Sequence, residues 1–426
     1  MKKALNTFSA VAATEAIQSG ACTSEQLVQN CLDRLQSREN EVHAWQYFNP
    51  EYALEQARDC DRTERRSALH GVPVGIKDII DTADMPTDYG SAIFNAHQPE
   101  ADARCIELLK NAGAVILGKT VTTEFAYLNP GPTRNPHNLQ HTPGGSSSGS
   151  AAAVADQHVP LALGTQTAGS IIRPASYCGV VAYKPSFDSY SSAGIHPFAP
   201  SLDTLGGFAR SVADLGLLAN VLANKEIIVE TRRPKSIAMV KGPAWSAAEE
   251  ETHELFQLIH ELMSKNDISV QEVQLPLEFD EINEAQRFIQ LKECTQNLNK
   301  YYENTPDKLS EKLRLDYEYG MTISDNDMRH AYELVENCKK AIKTLFANHE
   351  LIVTPASAGS APLAESGTGD PVFNRMWTAM HLPCVNLPVW LKKRSLPLGI
   401  QLVGEFGQDA RVLSNALCIE QYLSKK

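Results

Sequence analysis

The stretch from Gly144 to Ser170 limits this chain more than any other. It begins Gly144-Gly145-Ser146-Ser147-Ser148-Gly149-Ser150, passes through the small-residue helix Ala151–Ala155, and ends Gly164-Thr165-Gln166-Thr167-Ala168-Gly169-Ser170. A segment that only filled a core would not need so many glycines and hydroxyls between two apolar runs. Glycine lets the backbone take positive φ and approach a ligand closely, and consecutive free N–H groups then form an anion-binding concavity. Serines fixed beside such donors are the parts for nucleophilic acyl transfer. A base is still required.

Lys77, in Gly71-Val72-Pro73-Val74-Gly75-Ile76-Lys77-Asp78, fits the role, because Val72–Ile76 reads as a buried strand with the lysine at its end. In such a low-dielectric place desolvation lowers the pKa and makes the amine a usable base. The commoner fate of a lysine is a solvated surface position. These residues together resemble the amidase signature family, whose Ser–Ser–Lys triad has its lysine on an upstream strand and its serines 24 residues apart. Ser146 and Ser170 have that spacing. The resemblance implies Ser170 as nucleophile, Ser146 as relay, Lys77 as base and a cis Gly145–Ser146 peptide bond. It extends to Gly369-Asp370-Pro371 and Phe373-Asn374-Arg375, and it implies neither a cofactor nor a metal.

Ser170 also stands where a helix can start, and the backbone N–H groups of Thr167, Ala168, Gly169 and Ser170 can converge on a developing oxyanion. Gly144, Gly145 and Ser147 are expected to line the substrate site, and by resemblance Asp370 to Thr378, with Arg375 and Trp377, lie near the pocket. One departure from the family pattern is informative. An acidic residue four before the nucleophile and an arginine two after it are replaced by Gln166 and Ile172, with Arg173 one position further on. In this the chain resembles malonamidase-type amidases, where the arginine so placed holds a substrate carboxylate. The competing reading pairs Arg173 with a protein carboxylate such as Asp188.

Two motifs mislead. Gly113-Ala114-Val115-Ile116-Leu117-Gly118-Lys119-Thr120 matches the phosphate-loop pattern, but Ala114–Leu117 is strand-like and follows a helix over Ala103–Asn111, whereas that motif needs a loop after a strand. Gly145-Ser146-Ser147-Ser148-Gly149 matches the nucleophile elbow of α/β-hydrolases with Ser147 as nucleophile. The proline-rich segment before it is loop, and His196, His330 and His381 lie in no recognisable setting.

A hydrophobic content of 43% with 21% charged residues places the chain among soluble globular proteins, and a net charge of −12 argues against nucleic acid and anionic membrane as partners. The nine cysteines lack C-x-x-C spacing and read as reduced thiols of a cytoplasmic protein. Met1-Lys2-Lys3 and the run Ala4–Ala13 have the outline of a signal peptide, but Asn6, Thr7 and Ser9 interrupt it. Ser9 and Thr23 read as N-caps of two helices instead. Ser211 caps a helix to Ala223, and Ser246-Ala247-Ala248-Glu249 reads as a capping box. The expected fold is α/β, one large domain over 1–426 with a mixed central sheet covered by helices on both faces. Its core covers about 65–225 and 350–426, and charged amphipathic helices over about 245–349 form a layer that tunes substrate choice. The expected activity is hydrolysis of a small amide, with a homodimer compatible with it. The alternatives are an esterase or carbamate hydrolase with the same triad, the amidase subunit of a glutamine-dependent amidotransferase, and a catalytically dead binding protein.

Overall fold

The computed structural model describes residues 4–223, 227–392 and 394–425. The positively charged start, Met1-Lys2-Lys3, lies outside the described residues. Eleven strands form one mixed sheet. They are β1 (Trp45–Phe48), β2 (Pro73–Lys77), β3 (Val115–Thr120), β4 (Leu161–Gln166), β5 (Val181–Lys184), β6 (Thr204–Ala209), β7 (Ser236–Val240), β8 (Ser269–Val273), β9 (Leu351–Pro355), β10 (Cys384–Val389) and β11 (Leu398–Val403). Their spatial order is β1-β3-β2-β4-β6-β5-β10-β11-β9-β7-β8. β2 runs parallel to both β3 and β4, and β7 runs parallel to β8 and β9, while the remaining pairs are antiparallel. Strands β2, β3, β4, β6, β9 and β11 are buried along their whole length, as expected of a sheet covered on both faces.

Helices α1 (Ala10–Gln18), α2 (Ser24–Val42), α3 (Pro50–Arg62) and α4 (Arg104–Asn111) precede the glycine–serine segment. Ser9 and Thr23 cap α1 and α2 as expected, Thr23 in a capping box with Gln26. Helices α5 (Ser148–Ala155) and α6 (Ile172–Cys178) pack on the centre of the sheet, α5 against β2, β3 and β4, and α6 against β5, β10 and β11. Helix α7 (Val212–Leu222) is capped by Ser211 and lies on β5 and β6. The segment between β7 and β9 holds α8 (Glu250–Lys265), α9 (Ile282–Asn297), α10 (Asn299–Asn304), α11 (Glu311–Thr322) and α12 (Asp325–Asn348). It also contributes edge strand β8, so the range 245–349 is helical only in part. The expected capping box at Ser246 is absent: Trp245–Ala247 is a 3-10 turn, and α8 starts at Glu250 with Glu249 at its N-cap. Helices α13 (Arg375–Ala379) and α14 (Asp409–Ser424) complete the chain.

The phosphate-loop match is resolved by β3. Gly118, Lys119 and Thr120 are strand residues, and Lys119 Nζ is buried 3.2 Å from Asp78 Oδ1. No loop is available there to wrap a phosphate. Among the described residues, no helix is long and apolar enough to cross a membrane.

Candidate active site

Parallel pairing of β2 with β4 brings the C-terminal ends of the two strands side by side, so Lys77 meets Thr165. Lys77 is fully buried. Its Nζ lies 2.7 Å from Ser146 Oγ, 2.8 Å from Thr165 Oγ1 and 3.4 Å from the Thr165 carbonyl. Burial pushes the ammonium down to about 7, and the Asp203 carboxylate opposes that shift. A neutral amine has one lone pair and two N–H donors. The Thr165 carbonyl can only accept and takes one N–H, which leaves the other N–H and the lone pair to the Thr165 and Ser146 hydroxyls.

The loop into α5 holds Ser146 in place. Gly145–Ser146 is cis, as the resemblance implies. Gly144 sits at φ +82°, and a Cβ there would lie 2.8 Å from Pro174 Cα, so both the conformation and the space require glycine. The Ser147 hydroxyl donates to the Thr165 carbonyl at 3.2 Å and accepts from the Thr165 N–H at 3.3 Å, so its hydrogen bonds serve the β4 backbone. The same contacts remove it as an elbow nucleophile.

Ser170 follows β4 through the turn Thr167–Gly169. Gln166 organises that turn: its Oε1 accepts from Ile171 N at 2.8 Å and Ile172 N at 3.0 Å, and its Nε2 donates to Thr378 Oγ1 at 2.9 Å. The amide supplies a donor that an ionised carboxylate lacks. Thr378 Oγ1 donates in turn to the Ala168 carbonyl at 2.7 Å. The N–H groups of Thr167, Ala168, Gly169 and Ser170 donate to no protein acceptor among the described residues, and the Ser170 hydroxyl has no protein partner either. The Ser146–Ser170 hydrogen bond expected of a relay is therefore not formed here. Catalytic hydrogen bonds commonly tighten only around bound substrate.

Arg173 is 2% exposed, one helical turn beyond Ser170. Its Nη2 donates to the Gly145 carbonyl at 2.7 Å, while Nε and Nη1 are buried without a partner. Burial lowers its pKa to about 10; Tyr177 and Asp370 oppose that shift, and Arg375 adds to it. The alternative pairing with Asp188 is not formed: among the described residues Arg173 makes no ion pair. Trp377, expected near the pocket, is enclosed in the main apolar core, where its role is packing. Arg375 donates to Gln290 Oε1 at 3.1 Å and to Gln286 Oε1. Sequence reasoning missed Thr165, Asp203 and Gln286. Asp203 accepts from Thr167 Oγ1 at 2.5 Å, and Gln286 Nε2 donates to the Thr167 carbonyl at 2.9 Å. No local motif marks these residues, which meet the turn only through the tertiary fold.

A buried lysine against a serine and a glycine turn with free N–H groups, set on a large mixed α/β sheet, are the parts that serine acyl transfer requires. The chain belongs to the Amidase family, whose model matches residues 26–413. It is 30% identical to a glutamyl-tRNA(Gln) amidotransferase subunit of Chlamydia pneumoniae over 474 residues, covering 98% of this chain and 96% of the relative. The fold superposes on a crystal structure of an amidase with a TM-score of 0.91 at 28% identity, covering 98% of this chain and all of the other. The peptide amidase of Stenotrophomonas maltophilia superposes with a TM-score of 0.85 at 26% identity, covering 98% and 97% of the two chains.

Proposed function

We propose that the protein hydrolyses the C–N bond of a small, carboxylate-bearing amide through an acyl-enzyme on Ser170. The observation that carries this reading is the 2.7 Å contact between Lys77 Nζ and Ser146 Oγ, with the amine held near neutrality by burial. Ser170 Oγ attacks the carbonyl carbon and passes its proton to Ser146, which passes its own to neutral Lys77. The turn N–H groups receive the oxyanion. As the C–N bond breaks, the same relay returns a proton to the leaving nitrogen, and water then attacks the acyl-enzyme to release the acid. No cofactor enters this scheme.

The carboxylate preference rests on Arg173. A buried guanidinium with two nitrogens lacking acceptors is costly, and a bidentate carboxylate removes that cost. A charge-assisted hydrogen bond contributes about 1.5–3 kcal/mol. Arg173→Ala should raise KM strongly for a malonamate-like amide, as malonamidase-type enzymes would require, and barely change turnover of a neutral amide of similar size. Arg173→Lys should recover only part of the loss, because a point charge lacks the planar fork. Equal losses on both substrates with a lowered Tm would make Arg173 part of the scaffold.

The names of the curated relatives favour a second reading, a glutamine-hydrolysing subunit of an amidotransferase. Glutamine is itself a carboxylate-bearing amide, so the two readings share Ser170, Ser146, Lys77 and Arg173. Ser170→Ala should abolish turnover in either case, whereas Ser147→Ala retains the folded enzyme's activity in large part. Mass spectrometry of the acyl-enzyme from a panel of glutamine, malonamate, neutral amides and the matching esters identifies the acyl group. A serine-reactive probe that labelled Ser147 and spared Ser170 would overturn the scheme.

A further inference from the structure

We propose that Asp203 is a positioning residue for this reaction, setting the Thr167–Ser170 turn from behind through the Thr167 hydroxyl. The inference rests on the reading of that turn as the oxyanion site. Asp203 lies just before β6, in Ser201-Leu202-Asp203-Thr204, 33 residues after Ser170. Its two oxygens have separate tasks. Oδ1 accepts from Thr167 Oγ1 at 2.5 Å, while Oδ2 accepts from Phe198 N at 2.8 Å and Ala199 N at 3.0 Å. The carboxylate thus ties the turn to the 198–199 loop. The opposite side of Thr167 is held as well, because its carbonyl accepts from Gln286 Nε2 of α9, whose Oε1 accepts from Arg375. With hydroxyl and carbonyl both fixed, the Thr167 N–H is its one polar group without a protein partner among the described residues. That is the arrangement a preorganised oxyanion donor requires, since such donors act only if they need not reorganise.

A second link runs through charge. The Asp203 charge acts on Lys77 of β2, and the other titratable groups coupled to it are Glu293 and Cys294 of α9. The Asp203 anion favours the protonated form of Lys77, against the dominant effect of burial. Neutralising Asp203 should therefore move the acid limb of kcat/KM, where Lys77 gains its proton, to lower pH.

The test uses Asp203→Asn, Thr167→Val and the double variant of the full chain, assayed on one small amide across pH. Asp203→Asn replaces the anionic acceptor of the Thr167 hydroxyl by a neutral amide, either reversing that hydrogen bond or setting an NH2 against the Phe198 and Ala199 N–H groups, and should lower kcat about 10–100-fold with KM changed less than about threefold, since misplacing a catalytic donor costs on this order. At a pH above the acid limb the double variant should lose no more kcat than the worse single variant, because there Asp203 acts through Thr167. Burial raises the Asp203 carboxyl to about 6 and the Thr167 hydrogen bond opposes that shift, so Asp203→Asn should move the acid limb downward and Thr167→Val should move it the same way by less, an effect that a merely structural role would not produce. If Asp203→Asn does not fold, Asp203→Glu keeps the charge while displacing the turn, and should lower kcat with the acid limb in place. Multiplying losses in the double variant, or an unchanged kcat and acid limb in a folded Asp203→Asn, overturns the proposal. Turnover that survives in Ser170→Ala would instead overturn the reading beneath it.

Discussion

Burial of Lys77 links catalysis and stability to one proton. In the proposed scheme the neutral amine is the active form, so turnover should fall as pH drops through about 7. Lys77→Ala should cost about 10²–10⁴-fold in kcat, the usual contribution of a positioned acid–base group. The stability effect has a different origin but the same direction in pH. Because the folded-state pKa lies below the ordinary lysine value of 10.5, the unfolded chain binds a proton that the native state lacks between about pH 7 and 10.5. Native stability from this group therefore rises with pH in that window, by at most about 1.4 kcal/mol per pH unit. Urea unfolding at pH 7 and pH 8.5 should show the wild type gaining about 1.5 kcal/mol relative to Lys77→Met. A flat difference between the two proteins would mean that Lys77 titrates normally.

At the level of elements, α5 reverses an ordinary rule. Gly→Ala inside a helix usually stabilises by about 1 kcal/mol. In α5 every residue from Ser148 to Val154 is buried, and a Cβ on Gly149 would lie 2.2 Å from the Ala44 carbonyl oxygen and 2.3 Å from Val121 N. These are backbone atoms and cannot rotate away. Gly149→Ala should therefore destabilise, by about 1–3 kcal/mol in chemical unfolding; a stabilised variant would show that α5 can shift on the sheet. Much of this level was readable beforehand. The apolar runs Val72–Ile76 and Ala114–Leu117 marked β2 and β3, and motif spacing marked Lys77, Ser146, Ser170 and Arg173. Several other strands carry weak local signals. β4 contains Ala162 and Gly164; β6 contains Gly206 and Gly207, where the Tyr183 carbonyl and a Leu218 methyl occupy the space of a side chain. β8 is a mostly exposed edge and β1 only four residues long. The misreading at Ser246 has one cause: the residue type was suitable, and backbone geometry decided its use.

For the whole molecule, Lys77, Ser146, Ser170, Arg173 and Asp203 all come from a single chain. The protein purified alone should therefore turn over a small amide, with activity following the protein through size-exclusion chromatography whether it elutes as a monomer or a homodimer. If activity on glutamine appeared only after a partner protein was added, the amidotransferase reading would be favoured. The strand order has a further consequence during synthesis. β5 is sealed on one side by β6, but its other edge waits for β10, whose Cys384 pairs with Lys184. Those partners leave the ribosome 200 residues apart. At about 5–20 residues per second, the half of the sheet that bears the triad emerges about 10–40 s before the strand that closes it. In that interval the nascent chain exposes an open edge of only four residues, Val181–Lys184, and the shortness of β5 limits the template it offers to a neighbouring nascent chain.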